Sequence, residues 1–262
     1  MFPIRVARMT GPPWTLPSDP AHRLEIAKGY PYDAPANAYL FREGRAHPLS
    51  AATASNPFSG RRAVLGHGSN RAPGQLARKF AHFKGPASEI PVTYVWLDDY
   101  DVVYSAHVTA YGAIASNLTH APGCRVRVAL TWLDGRQLER MHETEGAYAF
   151  GRLAGASIAT DAGPDARHTD VHMYLSDHGC LLDGGAPVGI ESVRALGRPH
   201  RSLDQPRVQQ LVYDKLARQI EVDPDLDRFI LHAVADPNTR MHRIRALAAH
   251  AQPSHVPHFE AV

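Results

Sequence analysis

An α+β fold is predicted for this 262-residue chain by two observations. Apolar and β-branched runs with strand character crowd residues 62 to 175, whereas three apolar stripes at helical spacing follow one another beyond residue 205. Strands that precede helices, with few helices between them, favour separate sheet and helix layers over a doubly wound parallel sheet. At this length one large domain, or a domain with extensions, can bury a sizeable core.

Residues 1 to about 60 hold nine of the 21 prolines and little sustained periodicity, so they read as an extended, turn-rich segment. Tyr30, Tyr32, Tyr39, Leu40 and Phe41 argue against simple disorder and are expected to pack on the domain that follows. The run Ala63-Val64-Leu65 is a strand ending in a loop, and Pro73 suits the first turn of a helix carrying Leu76, Phe80 and Phe83. Residues 92–97 and 102–104 read as two strands parted by an Asp-Asp turn. Residues 112–115 and 126–133 read as two more, the second alternating like a half-buried strand. Asp134 can cap a helix over 135–143, with Leu138 and Met141 on one face and Gly146 ending it. Residues 171–175 form a further strand. Beyond it, Val208, Leu211, Val212, Leu216 and Ile220 make one helical stripe, Leu226, Phe229, Ile230 and Val234 a second, and Met241, Ile244 and Leu247 a third. Arg240, Arg243 and Arg245 decorate the last helix and read as a solvated face.

Composition excludes several classes of function. Lys plus Arg total 28 against 26 acids, so charge offers no argument for nucleic acid or membrane as a partner. No apolar stretch approaches the ~20 residues of a spanning helix, and no secretory signal opens the chain, so a cytoplasmic protein is expected. Cys124 and Cys180 sit in no redox or zinc pattern. The 16 histidines include neighbours such as His168 and His172, and His250, His255 and His258, which read as surface residues. His142 and Glu143 do not extend into a zinc-binding helix, because position 146 is glycine. No metal and no cofactor is expected.

The most informative stretch is Gly66-His67-Gly68-Ser69-Asn70, where an apolar run stops at a glycine-flanked turn ahead of a helix. Glycines let backbone approach a ligand closely, and amides at the start of a helix can hold a carboxylate or phosphate. Arg71 stands where a dinucleotide fingerprint needs its third glycine, and no Gly-Lys-Ser/Thr follows. A nucleophile elbow would need glycines where His67 and Arg71 stand, so Ser69 is not read as a nucleophile.

Together with Leu138-Glu139-Arg140-Met141-His142-Glu143-Thr144-Glu145-Gly146-Ala147-Tyr148, about seventy residues further on, this loop resembles the gamma-glutamylcyclotransferase-like family. That family carries a Tyr-Gly-Ser-Asn loop and an acidic residue in a Glu-Gly pair after a short helix. The resemblance spans roughly residues 62 to 180, and the family tyrosine is His67 here. It implies a compact mixed β-barrel with flanking helices, formed by a core over 61–180. Residues 1–60 would be a proline-rich extension packed on that core, and 181–262 a helical region packed on it. The implied reaction closes a γ-glutamyl amide or amine into 5-oxoproline and releases an amine.

In that reaction the substrate's own α-amine attacks its γ-carbonyl, and holding the two in attack geometry can be worth ~10⁵ M in effective molarity. An amine titrating near ~8 must first lose a proton, and the departing nitrogen must gain one. One carboxylate can serve both steps if burial raises its pKa toward ~6 to 7. By resemblance that group is Glu145; Glu143, two residues away, faces elsewhere on a helix. Backbone around Gly66, Gly68, Ser69 and Asn70 would hold the substrate's carboxylate, with His67 as hydrogen-bond donor or proton carrier. Tyr148 and Arg152, on the next strand, could line the same pocket. The partner implied is a small molecule with a γ-glutamyl or amino-acid-like carboxylate. A different reading keeps the fold as a non-catalytic module for a ligand or partner, and another keeps the pocket for other amide or C–N chemistry.

Overall fold

A computed structural model of the chain describes residues 15–162 and 170–262. The N-terminal segment is less extended than its prolines predict. It forms a helix, α1 (Pro20–Lys28), capped by the Asp19 carboxylate, which accepts from the amides of Ala21 and His22. Only Ile26 and Ala27 of this helix are buried, so no apolar stripe marks it in the sequence. A hairpin follows, β1 (Tyr39–Arg42) and β2 (Arg45–Pro48), and it buries Tyr39, Leu40 and Phe41. Next come β3 (Arg62–Gly66) and α2 (Pro73–Phe80). Phe83 lies past the end of α2, where it meets Phe80 edge to face at 5.8 Å.

The four strands expected between residues 92 and 133 are two long ones, β4 (Ile90–Val108) and β5 (Ile114–Leu133). They pair with each other along most of their length. The Asp-Asp step is a register irregularity, not a turn. Asp99 sits at φ 64° and its carboxylate accepts from the Gly123 amide at 2.8 Å, where residues 121–124 of β5 stand opposite this one residue of β4 before pairing resumes at Tyr100 and His120. After them come α3 (Gly135–Thr144), β6 (Tyr148–Leu153), β7 (Ile158–Ala162) and β8 (Val171–Ser176). Asp134 caps α3, and the side chain of Gln137 returns to the Asp134 amide as a capping box.

The region beyond residue 180 is not wholly helical. Five two-residue strands come first: β9 (Leu182–Asp183), β10 (Ala186–Pro187), β11 (Gly189–Ile190), β12 (Ala195–Leu196) and β13 (Ser202–Leu203). Two residues are too short to show any period. Then α4 (Gln205–Ala217), α5 (Leu226–Ala235) and α6 (Pro237–Ala248) carry the three apolar stripes, although Ile220 lies past the end of α4 and Met241 is exposed on α6, and β14 (Phe259–Ala261) pairs with β6.

The result is a mixed α+β architecture on one mostly antiparallel twelve-stranded sheet, with a central path β13-β11-β4-β5-β3-β8-β6-β14. Among the described residues no pairing joins β13 to β14, so the sheet stays open and the barrel implied by resemblance is not closed. β4 and β5 lie at the sheet's centre, β4 pairing also with β1, β7 and β11 and β5 with β3 and β12. One core lies between β4, β5 and the C-terminal helices; a second holds Leu76, Phe80, Met141 and Tyr174 between the sheet and helices α2 and α3. β3 lies between β5 and β8, parallel to β8 and antiparallel to β5, so the loop after Gly66 emerges beside Tyr174.

Gln137 is fully buried and links three segments. Its amide nitrogen donates to the carbonyls of Ala87 and Glu89 at 2.9 and 3.0 Å, and its oxygen accepts from Arg61 at 2.7 Å. Gln137→Leu should therefore cost about 3 kcal/mol in urea unfolding, since it strands buried polar groups. Asp134→Ala, which removes only a cap, should cost about 1 kcal/mol.

Candidate active site

The loop after β3 makes its turn with Gly68 at φ −114° and ψ −131°, then a single 3-10 turn, Ser69–Arg71, before Pro73 opens α2. Gly68 is therefore not required by a left-handed backbone. It is required by space: a Cβ there would lie 2.1 Å from Ser116 Oγ and 2.3 Å from the Tyr30 hydroxyl. Glycine lets the loop press against two buried hydroxyls from distant parts of the chain.

Above the loop is a cavity of about 300 Å³ whose wall includes His67, Gly68, Ser69, Asn70, Glu145 and Tyr148. Glu145 caps the C-terminus of α3. Asn70 Nδ2 donates to Glu145 Oε1 at 2.9 Å, joining the loop to the end of α3. The same oxygen receives the ammonium of Lys79, from the last turn of α2. Both side chains of this ion pair are nearly excluded from water, 9% and 11% exposed, so each charge answers the desolvation of the other. Glu143 turns away from the cavity to Arg140, at 2.8 Å.

His67 is buried and both ring nitrogens are engaged. Nε2 lies 3.0 Å from the Tyr174 carbonyl and Nδ1 lies 3.0 Å from Ser116 Oγ. A carbonyl can only accept, so Nε2 carries the proton and Nδ1 presents a lone pair to the serine hydroxyl. Burial pushes the His67 pKa below its ordinary value, against the pull of the Tyr174 carbonyl and of Glu145. The ring is neutral at physiological pH. Ser116 is in turn held from both sides: its amide donates to the Tyr30 hydroxyl at 2.9 Å, and its carbonyl accepts from the Tyr148 hydroxyl at 3.2 Å. Burial raises the phenols of Tyr30, Tyr148 and Tyr111, so all three act as neutral hydrogen-bonding groups.

Of the residues singled out from the sequence, Glu145, His67, Gly68, Ser69, Asn70 and Tyr148 meet in this cavity. Gly66 lies just behind it in β3, where a Cβ would meet Thr131 Oγ1 at 3.2 Å. Arg152 is not brought there. It lies four residues along β6 from Tyr148, beyond the cavity, and pairs with Glu260 and Asp170 at the surface. His172 is buried against Phe150, stacked at 5.4 Å, whereas His250, His255 and His258 are exposed; His168 lies outside the described residues. Among the described residues no three His, Cys, Asp or Glu side chains are grouped so as to hold a metal ion, and no helix is long and apolar enough to cross a membrane.

Several cavity residues belong to no motif. Tyr30 comes from the N-terminal segment, Ser116 from β5, and Lys79 is one of only four lysines, set among the apolar residues of α2. Helix α6 adds Arg240, Met241 and Ile244. The solvated basic face expected on α6 is thus divided three ways. Arg240 borders the cavity and donates to the Ala233 carbonyl, Arg243 is buried against Phe229 and Asp223, and only Arg245 is exposed. A period of three to four residues placed Ile244 and Leu247 inward but said nothing of a guanidinium that packs on an aromatic ring.

No family model matches the chain, and no curated protein matches it. Among solved structures, one described as "Gamma-glutamyl cyclotransferase" is similar over 74% of this chain and 89% of its own, at 14% identity and a TM-score of 0.31. A superposition that loose carries no argument about the site.

Gly68→Ala should lower stability by about 1–3 kcal/mol, because the added methyl overpacks a buried contact. Gly74→Ala, on α2 with open space around it, should be neutral or slightly stabilising, and parallel urea titrations compare the two. His107 adds a pH dependence. Its Nδ1 is buried without a partner among the described residues, and burial, assisted by His178 and Arg240, pushes its pKa down to about 4. Between its unfolded value near ~6.5 and about 4 the unfolded chain binds the extra proton, so stability is complete above that window and falls as pH drops through it. Chemical unfolding at pH 7 and pH 4.5 should show a smaller difference for His107→Gln than for the natural chain.

Proposed function

We propose that this chain is a gamma-glutamylcyclotransferase-like enzyme that converts a γ-glutamyl amide or amine into 5-oxoproline and an amine. One observation carries this reading. The two sequence motifs that resemble the family, 75 residues apart, are joined by the bond from Asn70 to Glu145 at the wall of one cavity. A carboxylate therefore stands beside a loop able to hold an anion.

In this reading the amides of Gly68, Ser69 and Asn70 hold the substrate's α-carboxylate, which brings its α-ammonium toward Glu145. The carboxylate of Glu145 takes a proton from that ammonium. The freed amine then attacks the γ-carbonyl of the same molecule, and the ring closes. Two protons leave the attacking nitrogen in all, and two reach the departing nitrogen; Glu145 can carry each in turn. Lys79 has two roles here: it balances the carboxylate before proton transfer, and its ammonium offers positive charge while the carbonyl oxygen is an oxyanion. His67, in the place of the family tyrosine, is neutral and committed to Ser116 and Tyr174, so it takes no direct part in this proton traffic.

Glu145→Gln keeps an oxygen for Asn70 and Lys79 but removes the base. Release of 5-oxoproline from a panel of γ-glutamyl compounds should fall at least ~10²-fold, with the fold retained by circular dichroism. Glu143→Gln, which touches the Arg140 pair on the far side of the helix, should have a much smaller effect. Undiminished turnover by folded Glu145→Gln would remove the carboxylate from the reaction. Ligand binding without turnover in the natural chain would favour the binding module.

A further inference from the structure

We propose that Ser116 and His67 form a second catalytic unit in this cavity, a serine nucleophile with a histidine base that accepts small acyl groups from esters or amides as a covalent ester on Ser116. The proposal does not depend on Glu145 or on cyclisation. It rests on three geometric facts. Ser116 Oγ lies 3.0 Å from the His67 Nδ1 lone pair. The opposite ring nitrogen is oriented by the Tyr174 carbonyl at 3.0 Å, which fixes the tautomer in which Nδ1 is free to take a proton. Ser116 and His67 both border the cavity, so the pair faces a space of about 300 Å³. A nucleophile within reach of a base, and a base held by a third group, is the arrangement that activates a hydroxyl.

The rest of the site supports the assignment. Ser116 is held at its amide by Tyr30 and at its carbonyl by Tyr148, so the hydroxyl is placed by a rigid strand and not by a loop. The same hydroxyl lies against the backbone of Gly68. The Gly68–Asn70 loop therefore runs beside the hydroxyl that would react. Burial keeps His67 neutral, which is the form a general base requires. Leu65, Val108, Met241 and Ile244 give the cavity an apolar portion of a size for a short acyl chain.

The step balances as follows. Ser116 Oγ forms a bond to the acyl carbon while its proton passes to His67 Nδ1, and the imidazolium retains its Nε2 proton on the Tyr174 carbonyl. Collapse of the tetrahedral species breaks the bond to the alcohol or amine, which leaves with the Nδ1 proton. Water then attacks the ester, gives a proton to Nδ1 and releases the acid, and that proton returns to Ser116.

The test uses the full chain and two probes, a fluorophosphonate and p-nitrophenyl acetate. Intact-mass and peptide mapping should find one phosphonyl adduct, on the peptide that contains Ser116, and nitrophenol should appear with a burst of about one equivalent. Folded Ser116→Ala should lose both signals, and His67→Gln should slow labelling at least ~10²-fold. Glu143→Gln, whose side chain pairs with Arg140 outside the cavity, should label like the natural chain, and neither probe carries an α-amine, so the signal is read apart from the cyclisation chemistry. Because the labelled peptide is read from the natural chain, the result does not depend on whether any variant folds. An unlabelled natural chain, an adduct on another residue such as Ser69, or unchanged labelling in folded His67→Gln would each overturn the proposal.

Discussion

The ion pair between Lys79 and Glu145 is the contact on which the cavity depends. It joins the last turn of α2 to the end of α3, and Asn70 adds the loop to the same carboxylate oxygen. Two charges this far from water are tolerated only together, because either alone would keep the full cost of its desolvation. The neighbouring contacts agree with that constraint. Lys79 Nζ lies 3.4 Å from the Met141 sulfur, and Arg140, one residue earlier, donates to the Lys79 carbonyl at 2.9 Å, so the two helices are fixed on both sides of the charge. A carboxylate held in this way is preorganised: its position is set before a ligand arrives, and no reorganisation is needed when charge develops nearby.

A second, neutral network lies behind the charged one. Tyr30, Tyr148, Ser116, His67 and Tyr174 are linked by hydrogen bonds that reach from the N-terminal segment, through β5, to β6 and β8. The phenols are held neutral by burial, so the network passes hydrogen bonds without adding charge to a region that already holds one ion pair. Gly68 sits where the two networks touch. Any side chain there would push the Ser116 hydroxyl and the Tyr30 hydroxyl apart, and the loop would lose its position relative to Glu145.

The outer wall is closed by residues that come late in the chain. Helix α6 places Arg240, Met241 and Ile244 over the cavity, and it is itself held by Arg243, which is buried between the Phe229 ring and the Asp223 carboxylate. The cavity thus draws on the N-terminal segment, the central strands and the C-terminal helices alike. Its size and polarity are properties of the whole chain.

By itself the sequence determined what repeats locally. The helix expected over 135–143, which runs to Thr144, was legible from Asp134 and its inward Leu138 and Met141, the start of α2 from Pro73, and the three late helices from their apolar stripes, because caps and periodicity act over a few residues. The two motifs that carry the resemblance were legible for the same reason: each is a short run of residue types. The tertiary structure decided everything that depends on distance across the chain. Whether Asp98-Asp99 makes a turn or an irregularity depends on the partner strand, which continues to pair on both sides of it. Arg152 shares a strand face with Tyr148 but lies four residues further along β6, where β8 and β14 set it beside His172 and Glu260 and away from the cavity. Lys79, Tyr30 and Ser116 carry no local signature at all; they become site residues only where folding brings a carboxylate, a glycine and a histidine ring within hydrogen-bond reach of them.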